Sequence, residues 1–545
     1  MKRNKITFAS LALLAAGAVA LSGCAGGGDN PDTGNGGDSG ADASAIIKVN
    51  GSEPQNPLIP TNTNETGGGK ILDSIFAGLI GYAADGSVYN DVAEDITVDD
   101  PQHLTVKIRK GLKFTNGEDV NADSFIKAWN YGALASNEQL SSYFFEDIEG
   151  FSYDEDSELT GLKKVDDHTF TIALNKPASD FAQRLGYSAY FPLPASAWDD
   201  IAAFGENPIG NGPYMLDGDG AWQHDVGINL VTNPDYDGPR KPANGGLDII
   251  FYASQDSAYS DLLGNELDVL DAIPDSAFGN FESDLGDRAV NQPAAIFQSF
   301  TIPERLAHFG GEEGKLRREA LSMSINRKEI TDVIFQGTRT PASDFTSPVI
   351  DGWSDKLDGA EVLEYNPEKA KELWAEADKI SPWSGSFQIA YNADGGHQAW
   401  VDATVNSIKN TLGIDASGAP YPTFAELRGK VTDRTIETAF RTGWQADYPG
   451  LYNFLGPLYA TNAGSNDGDY SSAEFDKLLS EGISETDPAK ANELYQQAQS
   501  VLLKDLPATP LWYSNVVGGY SESVSNVKFG WNSVPLYSEI EKKAE

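Results

Sequence analysis

Cysteine is almost absent from this 545-residue chain; Cys24 is the only one. No internal disulfide can form, so a packed core must hold the fold together. Histidine is scarce as well. His103, His168, His224, His308 and His397 are scattered, and none forms a His-x-x-x-His pair, which leaves no zinc arrangement to point to. Basic residues are few, 39 Lys and Arg against 81 Asp and Glu, for a formal charge of −42. Phosphate binding needs a basic surface, so nucleic acid is excluded as a partner. The same charge works against adsorption to anionic lipid. A Gly-x-Ser-x-Gly elbow is missing, so an α/β-hydrolase has no nucleophile site. Gly67-Gly68-Gly69-Lys70 is followed by Ile71 rather than Ser or Thr, and Glu65 stands where a phosphate loop has Gly. It reads as a flexible turn. Asp467-Gly468-Asp469 lacks the spacing and terminal Glu of a calcium loop and reads as a solvated acidic turn. With this many carboxylates, pairs such as Asp99-Asp100 and Asp166-Asp167 arise by chance and mark no glycosidase. No metal ion or cofactor is expected.

What the chain does have begins at its first residues. Lys2, Arg3 and Lys5 precede an apolar run from Leu11 to Leu21, too short for a comfortable membrane span. The run ends in Leu21-Ser22-Gly23-Cys24, which resembles a bacterial lipobox. Residues 1–23 are therefore expected to be a lipoprotein signal peptide, with Cys24 lipidated (palmitate among the acyl groups) as the anchor to the cell membrane. Residues 24–45 are Gly, Asp, Asn, Ser and Pro with little apolar surface, a composition that cannot order itself and reads as a flexible tether. No later stretch approaches 18 apolar residues, so the body is expected outside the bilayer.

From Ile46 onward helix and strand patterns alternate without a long linker or an internal repeat. HLTVKIR (103–109) and HTFTIAL (168–174) alternate apolar and polar residues, as half-buried strands do. Between them Asn121 caps a helix carrying Ala122, Phe125, Ile126 and Trp129 at helical spacing. Asn326 with Glu329, Asn366-Pro367 and Asp487-Pro488 mark three further helix starts. The apolar stripes behind these caps are core. The mixture indicates an α/β protein of at least two lobes.

Five blocks carry a resemblance. LTVKIRKGLKFTNGEDVNADSFIKAW (104–129), PIGNGPYML (208–216), NPDYDG (233–238), KLRREALSMSINRKEI (315–330) and FRTGWQADYPGLYNFLGPLY (440–459) occur in that order. Together they resemble the extracytoplasmic solute-binding proteins of ABC importers, the oligopeptide and dipeptide class (solute-binding protein family 5), from about Val49 to about Tyr537. The resemblance implies a two-lobed, periplasmic-binding-protein-like hinged trap with an extra inserted domain. Lobe I would combine 46–76, 205–300 and 511–545; residues 77–204 would be the inserted domain; lobe III would span 301–510. It further implies a monomeric, non-enzymatic binder that captures oligopeptides and delivers them to the permease subunits of an ABC transporter.

The resemblance also assigns a site. Asp447, in the Gly-Trp-x-x-Asp pattern, would receive a peptide ammonium, and Arg441 the carboxylate of some peptides. Gly443, Trp444 and Gln445 would offer backbone to an extended ligand as an added strand. Asn62, Thr63 and Asn64 would face them, and Trp444 and Tyr143 would line side-chain pockets. Pro449-Gly450 stand where many relatives carry a further acidic residue, which alters the pocket nearby. The main alternative is a binder of an oligosaccharide or metal complex in the same fold. A surface peptidase and a non-transport surface protein are the others. Asp447 is the reason to prefer peptides.

Overall fold

A computed structural model describes residues 40–544, apart from 394, 395 and 423. The expected signal peptide, the lipidated Cys24 and most of the tether lie outside the described residues. Residues 41–45, assigned to the tether, are instead held: Ala41 bridges Lys543, and the Asp42 N–H donates to Lys542 O at 2.8 Å. Backbone pairing with the other end of the chain orders a stretch whose side chains offer nothing to bury.

A twelve-stranded sheet forms the spine among the described residues. Its main path runs Ala416–Tyr421, Phe387–Asn392, Ala439–Gln445, Ala289–Thr301, Ala508–Tyr520, Val269–Leu270, Ile46–Gly51, Gly246–Phe251, Gly227–Thr232 and Tyr214–Leu216. At its centre Ala289–Thr301 and Ala508–Tyr520, thirteen residues each, pair antiparallel with register slips between Pro293 and Ile296 and between Gln298 and Ser299. These two strands run through successive cores. Ala294 and Val516 join a core with Ile47, Leu230 and Ile249. Phe297 and Tyr513 join one with Phe345, Leu451 and Leu502. Phe300, Leu511 and Trp512 join a third with Ile389, Trp400 and Val405.

A separate four-stranded antiparallel sheet is built from Ala93–Asp100, His103–Ile108, Thr169–Ala173 and Leu162–Asp166, in that order across the sheet. Both strands expected from alternation are in it. The helix Ala122–Ala133 covers it, with Asn121 accepting from the Asp123 and Ser124 N–H groups and Ser124 returning the bond. Phe125, Trp129 and Phe170 interlock beneath, with ring centroids 5.7–6.2 Å apart. The expected caps Asn326, Asn366 and Asp487 start Arg327–Val333, Pro367–Ile380 and Pro488–Asp505.

Two local expectations fail. Gly67-Gly68-Gly69-Lys70 is not a turn; it lies in the helix Thr66–Ile75, whose first turn is capped by the Glu65 carboxylate on the Gly68 N–H. Glycine is needed there for close approach, because a Cβ on Gly68 would lie 2.8 Å from Thr63 Cγ2 and one on Gly67 would collide with Ser52 Oγ. The cap and the contacts of Ile71, Leu72 and Ile75 outweigh the poor helix propensity of three glycines, roughly 1 kcal/mol each. Asp467-Gly468-Asp469 is not simply solvated either. Asp467 meets Arg428 at 2.6 Å and Arg434 at 3.3 Å, and Asp469 meets Arg434 at 2.7 Å and Arg305 at 3.1 Å.

Candidate functional site

A cavity of about 560 Å³ opens between the start of the helix Thr66–Ile75, the hairpin Ile80–Tyr82/Val88–Asn90, residues 186–191, residues 239–243, residues 445–447 and the C-terminal segment 530–539. Of the expected site residues, Thr63, Asn64, Gln445 and Asp447 line it. Asn62, Tyr143, Arg441, Gly443 and Trp444 do not.

Asp447 is placed by a local device. The strand Ala439–Gln445 ends just before it, and the helix Leu451–Tyr459 begins just after. Asn453, 2% exposed in the first turn of that helix, accepts from the Asp447 N–H at 3.0 Å and from Trp444 Nε1 at 2.9 Å. Its amide donates back to Asp447 Oδ2 at 3.0 Å. One buried amide thus fixes both the backbone and the carboxylate of Asp447. Burial pushes the Asp447 carboxyl up to about 6, with the Asn453 hydrogen bond working against that rise. No Lys, Arg or His among the described residues forms an ion pair with it.

Phenols surround this carboxylate. Desolvation, and then the Asp447 charge, hold the Tyr143 and Tyr187 hydroxyls well above the ordinary phenol range. At Tyr82 desolvation leads, the Asp73 charge and Tyr190 follow, and Asp447 adds the least. Tyr143 is 40% exposed and packs on Phe144 at 4.6 Å, close to Asp447 but off the cavity lining.

The strand leading to Asp447 has one paired edge and one open edge. Phe440 to Gln445 pair antiparallel with Ala289–Thr301. On the other side Phe387–Asn392 reaches only Ala439 and Phe440. From Arg441 to Gln445 no strand among the described residues takes the second edge, so Gly443 stands exposed beside it. Arg441 donates from Nε to Asn392 Oδ1 at 2.9 Å, and its guanidinium lies 5.0 Å from the Phe424 ring centroid. Across the cavity Thr63 is buried and extended (φ −118°, ψ 121°), and Asn64 follows it. Asn62 turns away and accepts from the Leu140 N–H at 3.4 Å.

The walls are tied to each other. Tyr448 donates to Asp180 at 2.8 Å, and Arg184 bridges Asp180 at 2.8 Å and Asp147 at 2.7 Å beneath the Tyr448 ring. The Ser179 N–H donates to Ile483 O at 2.7 Å. Tyr82 meets Trp531 edge-on at 5.6 Å. Among the described residues there is no group of three metal-ligating side chains, and no helix is long and apolar enough to cross a membrane.

Set against known proteins, residues 87–466 match the family described as bacterial extracellular solute-binding proteins, family 5 Middle. The chain belongs to that family. Its members are binding proteins, not enzymes. The chain is 26% identical to the oligopeptide-binding protein OppA of Bacillus subtilis over 529 residues, covering 91% of this chain and 92% of the relative. In three dimensions it resembles the Escherichia coli murein tripeptide binding protein MppA, with TM-score 0.75, 19% identity, 93% of this chain and 99% of that one. It also resembles Haemophilus influenzae OppA in complex with RPPGFSPFR, with TM-score 0.72, 20% identity, 93% of this chain and 100% of that one. These likenesses show the two-lobed α/β binding-protein fold of the family.

Several residues of this candidate site were not singled out from the sequence. Asn453 carried a signal, an Asn in the first turn after the Gly-Trp-x-x-Asp block, where a side-chain amide can close the preceding loop. Asp73, Tyr82, Tyr187 and Trp531 carried none, since each comes from a different stretch of chain and only the fold brings them to one cavity.

Proposed function

We propose that this protein captures oligopeptides outside the membrane and delivers them to the permease subunits of an ABC transporter. Asp447 carries the reading: a carboxylate without a cationic partner among the described residues, lining a cavity beside an open strand edge. An extended peptide offers an ammonium followed by a ladder of unpaired backbone groups, and this wall offers a partner for each. Gly443 to Gln445 pair with the ligand backbone, and Thr63 and Asn64 meet it from the other side. Trp444 and Tyr143 flank its side chains, and Arg441 receives the carboxylate of peptides long enough to reach it. Main-chain pairing ignores side-chain identity, so many sequences can be accepted. The names of the oligopeptide-binding relatives support the same ligand class. Residues 77–204 act as the inserted domain between lobes 46–76, 205–300 and 511–545 on one side and 301–510 on the other. Ligand favours the closed form, which alone touches it from both walls.

The body is held at the cell surface by a lipid on Cys24 and works as a monomer. The short apolar run ending in Leu-Ser-Gly-Cys supports the anchor, and Cys24→Ala protein should appear in the medium. Native mass spectrometry of protein from its own host tests the ligand class: bound masses should be those of peptides. Masses of a sugar oligomer or a metal complex overturn the peptide reading. Tyr82, Tyr187 and Trp531 on the cavity wall are what an oligosaccharide would stack on.

A further inference from the structure

We propose that the cavity takes a second cation and that Asp73 receives it, so that peptides with a lysine or arginine among their first two residues bind best. This deepens the peptide reading above and rests on it.

The argument starts from the charged groups on the cavity wall. Lys70 is paired with Asp271, Lys241 with Asp237 at 3.1 Å, and Glu539 with Lys528 at 2.7 Å. Glu65 is taken up by the helix cap it makes on the Gly68 N–H. Arg240 donates from Nε to Asp91 at 3.2 Å and from its two terminal nitrogens to the Asp73 and Phe76 carbonyls at 2.5 and 2.8 Å. Every one of these charges is answered within the protein. Asp73 and Asp447 are the two lining charges that are not: neither has an ion pair among the described residues.

The position of Asp73 is unfavourable for the protein alone. It sits in the last turn of the helix Thr66–Ile75, where the carbonyl ends already place partial negative charge. Burial pushes its carboxyl up to about 6, with only the Arg240 charge opposing. Arg240 is its nearest cation, but that guanidinium spends its hydrogen bonds on Asp91 and on the Asp73 and Phe76 carbonyls, so the Asp73 carboxylate has no ion pair of its own and a ligand cation can supply one.

The surroundings select the kind of cation. Gly81 and Gly186 let aromatic rings close in, because a Cβ on Gly81 would lie 2.6 Å from the Tyr89 ring and one on Gly186 would lie 2.7 Å from that of Tyr82. Tyr82, Tyr89, Tyr187 and Trp531 therefore wall the cavity with faces suited to a methylene stem ending in a charge. Asp73 and Asp447 both bear electrostatically on the same two phenols, Tyr82 and Tyr187, which puts them on one stretch of wall. A basic side chain close to the amino terminus reaches one while the ammonium holds the other.

The test is calorimetry with tetrapeptides of alanine carrying lysine, or its uncharged analogue norleucine, at each position in turn. Wild type should bind lysine at position one or two at least about tenfold more tightly than norleucine there, as expected for a charge pair formed away from bulk water. In Asp73→Asn that advantage, read as the ratio of the two affinities within the variant, should fall below twofold. Equal affinity for lysine and norleucine in wild type overturns the inference, a comparison that needs no variant to fold. So does a lysine advantage that survives Asp73→Asn or that occurs only at positions three and four. If tetra-alanine binds and lysine adds nothing, this inference alone falls. If no tetrapeptide binds wild type, the peptide reading falls and takes this one with it.

Discussion

Replacing Asp447 by Asn should strengthen the empty protein and ruin the loaded one. The folded protein holds the Asp447 proton up to about pH 6, whereas an unfolded chain releases it near 3.8. Well below pH 3.8 the carboxyl is neutral in both states and costs nothing, and at pH 4 the penalty is still small. Between 4 and 6 the penalty grows, and above 6 the buried anion opposes folding by roughly 3 kcal/mol. Asn keeps the shape and one acceptor for the Asn453 amide while removing the charge. The unliganded variant should therefore unfold at higher temperature than wild type at pH 8 and at nearly the same temperature at pH 4. Binding should move the other way. With the ligand ammonium left buried and unpaired, affinity should drop by about 2–5 kcal/mol, or about 30-fold to several thousand-fold. N-acetylating the peptide should weaken wild type by a similar amount. Combining both changes should cost less than their sum, because they remove one interaction. A rim ion pair would give only about 0–1 kcal/mol. Wild type that binds free and acetylated peptide alike, or a melting difference that ignores pH, would refute the argument.

Four other outcomes are expected. Affinity for a free peptide should be flat above pH 7 and fall below 6, about tenfold per pH unit where one carboxylate takes up a proton; because Asp73 is also pushed up to about 6, a lysine-containing peptide should show the steeper fall by calorimetry. Asn453→Leu strips three hydrogen bonds from a buried site and should cost about 2–4 kcal/mol of stability in denaturant titration, with a loss of peptide affinity; unchanged binding would show that Asn453 does not hold Asp447. Tyr448→Phe removes the hydrogen bond to Asp180 that ties two walls together, and should weaken binding roughly fivefold, about 1 kcal/mol. Small-angle scattering should show a smaller radius with peptide than without, and less of that change in Tyr448→Phe.

The sequence yielded local features best where one residue type dictates one geometry. Asn121, Asn326, Asn366 and Asp487 each begin a helix where a capping side chain was read, because a short polar side chain before an apolar stripe has few other uses. The alternation of His103 to Arg109 was enough to give a strand, yet nothing in it says which strand lies beside it. Gly67 to Gly69 misled for a related reason. Their helix depends on Ser52 and Thr63 arriving at close range, and glycine alone reads as freedom. The site divides in the same way. Asp447 was reachable from one continuous block. Asp73 was not, since its meaning comes from being unanswered in a cavity whose walls are contributed by six separate stretches.

The clasp between the two ends of the described residues has a mechanical consequence. Ala41 bridges Lys543, the Asp42 N–H donates to Lys542 O at 2.8 Å, and the Lys542 ammonium reaches Ile46 O at 3.0 Å and Asp268 at 2.7 Å. Both ends leave from one pole of the molecule. A pull along the N-terminal segment is borne first by this clasp and by the start of the strand Ile46–Gly51, which lies inside the central sheet between Val269–Leu270 and Gly246–Phe251. A dye or affinity handle joined after residue 544 would share that pole. A short linker could join residue 543 to residue 41, so the chain could be cut open at an exposed loop such as 153–158 and still pair its strands as they pair now.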